Sequence, residues 1–447
     1  MSQAAATVSL KLRTFRAAGW TVGGHVASQL LRFGSNLILT RLLFPEVFGL
    51  MAIIQAVMMG VAMLSDIGVS QSIIRSNRAH DERFMNTAWT IQIAKGVFVW
   101  LVLCLIAAPL ASAYDEPLLA WMLPVAGLAA VISGFYSTNG AMASRNIDAR
   151  RITFISLGGY SLTVVVSVLL AWYEPTPWAL VWGNLIGAAA QMLASHVLLP
   201  GARNGLAWER ESARAIISFG GAVLLSSSLS FFAGEGNKLV AGLLLDMRML
   251  GLLGLASTLN LVIWSAIQLV GSRVLYPAYS EVMRTEPARL SSIVERSRFV
   301  QVLPTWGAAM FFAVFGRQVI EFLYDPRYAD AGVILQIQAL GLMAGVLSMS
   351  YTGVLWATGK IGLSTALLAA QGVLQIGGMF VGSQIAGQFG VLVGSALSGV
   401  LMYPITAVVY ARQKLFHAKV DVPVILASIA AAVGVVLSND WAGARAW

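Results

Sequence analysis

One cysteine, four scattered histidines and only 11% charged residues leave little in these 447 residues from which to build a soluble or catalytic protein. With Cys104 alone, the chain can form neither an internal disulfide nor a cysteine-based zinc site. His25, His80, His196 and His417 stand apart, and neither an HExxH helix nor a GxxxxGKS/T phosphate loop occurs. An enzyme that builds glycan needs carboxylates, a metal or a nucleotide cradle, usually in a sizeable loop or domain. The longest loop, 273–299, is mostly SEVMRTEPARLSSIVERSRF, which reads as an amphipathic surface helix. We therefore expect no enzyme, no metal, no cofactor and no hydrolysis-powered transport by this chain alone. The net charge of +9 comes from cations scattered over short loops, with no continuous stripe, so nucleic acid is not an expected partner.

What the chain has instead is apolar length. Hydrophobic residues make up 58%, against roughly 45–50% in soluble domains. Thirteen stretches of membrane-crossing length, with 12 to 14 as the range, are predicted near 18–40, 47–70, 87–111, 118–140, 153–173, 178–199, 216–245, 250–272, 300–323, 331–356, 362–383, 388–410 and 422–438. At 1.5 Å per residue, about 20 residues match a hydrocarbon core of roughly 30 Å. Lipid offers backbone groups no partner, so these are helices. The stretch 216–245 is long and holds Gly234 and Gly236, which suits a bent or broken helix.

Loop cations orient the chain. The N-terminus and every second loop hold 21 of the 29 Lys and Arg residues, from Lys11, Arg13 and Arg16 to Arg412, Lys414 and Lys419. Arg298 is counted in that set, within the loop 273–299. The opposite loops hold only Arg41, Arg248, Arg327 and Arg445. Positive-inside bias places the N-terminus in the cytoplasm. Residues 1–16 are polar and no small-residue processing site comes after them, so no cleavable signal peptide is expected.

An internal repeat emerges on laying Gly34–Leu50 over Gly236–Leu252 at an offset of 202, where Gly34, Leu37, Leu42, Leu43, Gly49 and Leu50 meet identical residues. Six helices separate the copies, so the halves share one orientation, as in parallel-repeat transporters. The expectation is an all-α polytopic protein with two six-helix lobes, 1–200 and 201–415, forming a V-shaped central cavity. Residues 416–447 add a further helix and tail.

Ionisable residues inside apolar stretches cost at least roughly 2.5–3.5 kcal/mol and normally face protein or a watery cavity. Arg32, near the middle of the first stretch, suits a substrate-facing cation or a partner for a carboxylate. Lys95 suits either a cavity or a stem snorkelling to the cytoplasmic surface. Glu235 and Lys238, three apart, can pair with each other or line the outward half of a path. Asp66 in SDIGVS can cap or salt-bridge locally, or couple to a cation. Arg317 and Glu321, four apart, are expected to pair with each other. Cations in a low-dielectric cavity suit an anionic cargo such as phosphate. Trp20, Trp89, Trp100, Trp121, Trp178, Trp182, Trp264 and Trp356 could stack on sugars, though interfacial belts explain single tryptophans better.

Four motifs, RLLFPEVFGLMA (Arg41–Ala52), SDIGVSQSIIR (Ser65–Arg75), LLLDMRMLGLLGLA (Leu243–Ala256) and VLYPAYSEV (Val274–Val282), make the chain resemble the polysaccharide transporter family. These are the Wzx-type flippases of the multidrug/oligosaccharidyl-lipid/polysaccharide exporter superfamily. The resemblance implies alternating-access translocation of an undecaprenyl-diphosphate-linked oligosaccharide repeat unit across the bacterial inner membrane. It also implies contact with membrane lipids, and polysaccharide polymerase and chain-length or export proteins as partners. Many relatives have fourteen helices, whereas the apolar stretches here number thirteen, which would leave either the C-terminus outside or a fourteenth helix missing from this sequence. Many also carry an Asp where this chain has GNK (Gly236–Lys238), so their cation coupling does not transfer directly. A cation-coupled drug or metabolite antiporter would favour acidic cavity residues instead. A non-transporting scaffold of a polysaccharide assembly complex would not need Arg32.

Overall fold

The computed structural model describes residues 3–234, 236–413 and 415–438. Among them there is no strand. The helices are α1 (Gln3–Leu42), α2 (Pro45–Leu64), α3 (Val69–Arg75), α4 (Glu82–Ala113), α5 (Leu118–Gly134), α6 (Asn139–Arg145), α7 (Ala149–Tyr173), α8 (Trp178–Leu198) and α9 (Arg210–Gly234). They continue with α10 (Gly236–Leu244), α11 (Met247–Val270), α12 (Tyr276–Thr285), α13 (Leu290–Leu323), α14 (Ala331–Met349), α15 (Thr352–Ala357), α16 (Ile361–Arg412) and α17 (Ala418–Ser438). Eight of the described helices are long and apolar enough to cross a membrane, and nine if α5 and α6, bent by 62°, form one broken span. The chain is a multi-pass membrane protein.

Hydropathy runs through breaks that the backbone makes. The apolar stretch 47–70 ends as helix at Leu64; Gly68 then turns left-handed at φ +62, and α3 starts anew. The stretch 118–140 breaks at Phe135, and 331–356 breaks at Ser350. α16 is two legs joined at Ala386 and Gly387, where Gly387 has φ +56. Its legs fold back tightly enough that a Cβ on Gly382 would overlap the Gly390 carbonyl, and one on Gly394 the Gly378 carbonyl. Without a hydrophobic driving force between helices in lipid, such small-residue contact is what holds them together.

The described residues form two compact units. One takes the chain up to Phe44 together with Ile53–Phe231, and the other takes Pro45–Ala52 and the chain from Phe232 onward. In the first, α4 packs on α5, α7 on α8, and α3 on α6. In the second, α13 packs on α14, the legs of α16 on each other, and α12 on α15. A similar neighbour pattern therefore occurs in each. Within the second unit α2 and α11 cross at Gly49 and Gly251, which the 202-residue offset aligns. A Cβ on Gly49 would overlap the Met247 carbonyl, and a Cβ on Gly251 the Pro45 carbonyl.

The first unit runs on through α9 because the segment after α8 is strapped to it. Gly205 N donates to Asn86 Oδ1 (2.9 Å), Ala207 N to Thr90 Oγ1 (3.1 Å) and Glu209 N to Thr87 Oγ1 (3.1 Å). Extended backbone with no partner of its own is thus satisfied by side chains on α4. Arg78 clamps the end of the strap, 2.8 Å from Glu209.

Candidate functional site

Asp66 sits in the break between α2 and α3, and three elements converge on it. Lys95 Nζ of α4 donates to its Oδ1 at 2.8 Å, Gly68 N donates to the same oxygen at 3.2 Å, and Ser227 Oγ of α9 lies 3.4 Å from Oδ2. The Lys95 ammonium is therefore held by a carboxylate. Asp66 both caps the turn and forms a salt bridge, and the pair is about three-quarters buried.

Arg32 is on α1, exposed, and makes no ion pair or side-chain hydrogen bond among the described residues. One turn on, Asn36 Oδ1 is buried without a partner. In the second unit, Lys238 lies on α10, exposed, beside Asn237, whose Oδ1 is likewise buried and unpartnered. Glu235 lies outside the described residues. Arg317 and Glu321 do not pair: Arg317 is half-buried with Nε unpartnered where α13 meets Gly332, and Glu321 is exposed. A Cβ on Gly332 would come within 2.7 Å of the Arg317 Cα, so close helix contact, rather than the four-residue spacing, sets where this guanidinium goes. Two tryptophans are engaged with carbonyls: Trp89 Nε1 donates to Phe135 O (3.3 Å) and Trp100 Nε1 to Pro124 O (3.0 Å).

The strongest charged constellation was not singled out from the sequence. Arg298, counted there as a loop cation, is fully buried. Its Nη2 is 2.6 Å from Asp421 Oδ1, its Nε donates to Ser350 Oγ (2.9 Å) and its Nη1 to Tyr351 Oη (2.5 Å). The guanidinium also lies 3.5 Å from the centre of the Tyr351 ring, which stacks on Tyr410 at 3.9 Å. Asp421 Oδ2 accepts from Tyr403 at 3.0 Å. Helices α13, α16 and α17, with the break after α14, thereby supply one saturated network around one ion pair. A lone carboxylate opening the last apolar stretch was the signal available: an Asp there needs a cation, and Arg298 is the last cation before the stretch 300–323. The inside bias of the loop cations survives its removal.

Beside this pair, His417 precedes α17, with Nδ1 3.6 Å from Glu295. Burial lowers its imidazole below the ordinary value, with Glu295 acting in the opposite direction. A second polar cluster crosses α11 and α14: Asn260 Nδ2 donates to Gln338 Oε1 (3.0 Å) and Gln338 Nε2 to Ser257 Oγ (2.8 Å). No group of acidic, histidine or cysteine residues that could hold a metal occurs among the described residues. The His417 ring also lies 3.5 Å from Ser291 through Nε2, so Ser291, His417 and Glu295 form a short chain beside the Arg298 network.

Comparison with known proteins agrees with this architecture. The chain is 22% identical over 399 residues to the lipopolysaccharide biosynthesis protein WzxC of Escherichia coli K12, covering 87% of this chain and 79% of that protein. It is 25% identical to the succinoglycan biosynthesis transport protein ExoT of Rhizobium meliloti, over 75% and 67% of the two chains. Among solved structures it matches the lipid II flippase MurJ in an inward closed conformation with TM-score 0.72 and 10% identity, over 95% of each chain. An inward-facing multidrug resistance MATE family transporter of the MOP superfamily matches with TM-score 0.62 and 15% identity, over 87% of this chain and 94% of that one. The chain thus shares the fold of these two solved structures. A family model described as polysaccharide biosynthesis protein matches residues 38–332, and the chain belongs to that family.

Proposed function

We propose that this protein is a flippase that moves an undecaprenyl-diphosphate-linked oligosaccharide repeat unit across the bacterial inner membrane by alternating access, for exopolysaccharide, capsule or O-antigen synthesis. One observation carries the reading: similarity to WzxC and ExoT over most of the chain coincides with the MurJ fold over 95% of it. The chemistry agrees. Arg32 offers an unpaired guanidinium within the apolar part of α1, suited to a diphosphate, which a low-dielectric wall attracts more strongly than water does. Lys238 and Glu235 would serve the corresponding place in the second repeat, and Lys95 would act through Asp66. Residues 1–200 and 201–415 would be the two lobes, with the N-terminus in the cytoplasm and a polymerase or export protein receiving the product. A cation-coupled antiporter fits less well, because the Asp66 carboxylate is already neutralised by Lys95.

Arg32→Ala and Lys238→Ala are expected to cause lipid-linked glycan to accumulate in the inner leaflet while the protein remains inserted. The measurement is radiolabelled carrier-linked glycan, with membrane level checked by immunoblot. Normal polysaccharide export by both variants would remove the basic-path mechanism.

A further inference from the structure

α17 is anchored polar-side to α13: beyond the Arg298–Asp421 pair, Trp306 Nε1 donates to Ser428 Oγ at 2.8 Å. On its other flank, between α17 and the second leg of α16 with α14 as floor, lies a cavity of about 560 Å³. Leu340 and Ala344 of α14, Leu397 and Val400 of α16, and Ile429 and Ala432 of α17 line it. The two hydroxyls at its edge are already engaged. Tyr403 donates to Asp421 Oδ2 (3.0 Å), and Ser428 accepts from Trp306 while donating to Val424 O (2.7 Å). With both hydroxyls engaged and the other named wall residues apolar, the cavity suits hydrocarbon. The volume is that of a ligand site, roughly 300–1,000 Å³, and leaving it empty would forfeit dispersion contacts along three helices.

Two cations lie beyond the Tyr403 and Ile425 end of the lining, along α16 and α17. Arg412 ends α16 and Lys419 begins α17, both exposed and without an ion pair among the described residues. Tyr403 lies nine residues before Arg412, about 13 Å along a helix, and Ile425 six residues after Lys419, about 9 Å. Those depths separate a phosphate at the surface from an acyl chain below it. The carboxylates at this end, Asp421 and Glu295, face Arg298 and His417. We propose that the cavity holds one acyl chain of an anionic phospholipid, whose phosphate rests on Arg412 and Lys419. The ligand is a bilayer lipid, bound independently of the transported cargo.

The full chain, purified in mild detergent and offered phosphatidylglycerol and phosphatidylethanolamine, is to be examined by native mass spectrometry. Wild type is expected to retain one phosphatidylglycerol preferentially. Ala432→Phe, which fills the cavity, is expected to lose that lipid. Arg412→Ala with Lys419→Ala is expected to keep a lipid and lose the headgroup preference, by about fivefold for each cation removed. Equal retention by wild type and Ala432→Phe, or no headgroup preference in wild type, would overturn the assignment. So would displacement of phosphatidylglycerol by equimolar undecaprenyl phosphate, which would give the cavity to the carrier isoprenoid. Should Ala432→Phe not fold, Ala344→Leu fills the same space from α14 and is read against the same outcomes.

Discussion

Arg298 and Asp421 carry opposite charges with no exposure, and each is bonded to further groups. Removing one member of such a pair leaves an uncompensated buried charge, which costs about 3–5 kcal/mol, whereas replacing both with apolar residues is often neutral. Arg298→Met is therefore expected to lower the melting temperature of the detergent-solubilised protein severely. Arg298→Met with Asp421→Leu should recover most of the loss, and the recovery measures the coupling. His417 adds a pH dependence beside them. Its folded pKa lies below the unfolded value of about 6.5, so as pH falls through about 6.5 the unfolded chain takes up the proton first. Stability contributed by neutral His417 is thus full above that pH and lost below it, down to the depressed folded value. His417→Gln is expected to flatten this part of a plot of melting temperature against pH, between about pH 7.5 and 5.5.

At the scale of elements, long apolar runs were legible because helix length and bilayer thickness impose the same number of residues. The breaks inside those runs were not. Asp66–Gly68, Phe135 and Ser350 interrupt stretches that stay apolar overall, since a broken backbone at membrane depth is stabilised by partners far away in sequence, such as Lys95 for Asp66. The turn between the legs of α16 was legible, because Gly387 falls in the short gap between two full-length stretches. What the sequence did not reveal is how close those legs come. Gly382→Val must push a side chain into the Gly390 carbonyl, and is expected to cost about 1–3 kcal/mol. Gly377→Ala, with open space around its Cβ, is expected to leave the melting temperature unchanged. The candidate site divides in the same way. Arg32 stands out because a charge in mid-stretch is conspicuous, whereas the Arg298 network left only the weak signal of Asp421, because its members come from separate helices and two of them lie at stretch ends.

For the whole molecule, loop charge makes a statement about topology that can be checked directly. The inside assignment rests on 273–299 and its companion loops carrying most cations, while the turns after α1, α7, α10 and α13 carry few. Ala288 and Glu174 are both exposed and belong to opposite sets. In a Cys104→Ser background, Glu174→Cys is expected to react with a membrane-impermeant maleimide in spheroplasts, and Ala288→Cys only after permeabilisation. Side-chain accessibility then reports orientation without any assay of transport. The reverse labelling pattern would invert the chain and move Arg412 and Lys419 to the outer leaflet. Equal labelling of both positions before permeabilisation would mean that the segments between them cross the membrane an even number of times, against the odd number that the alternating charge requires.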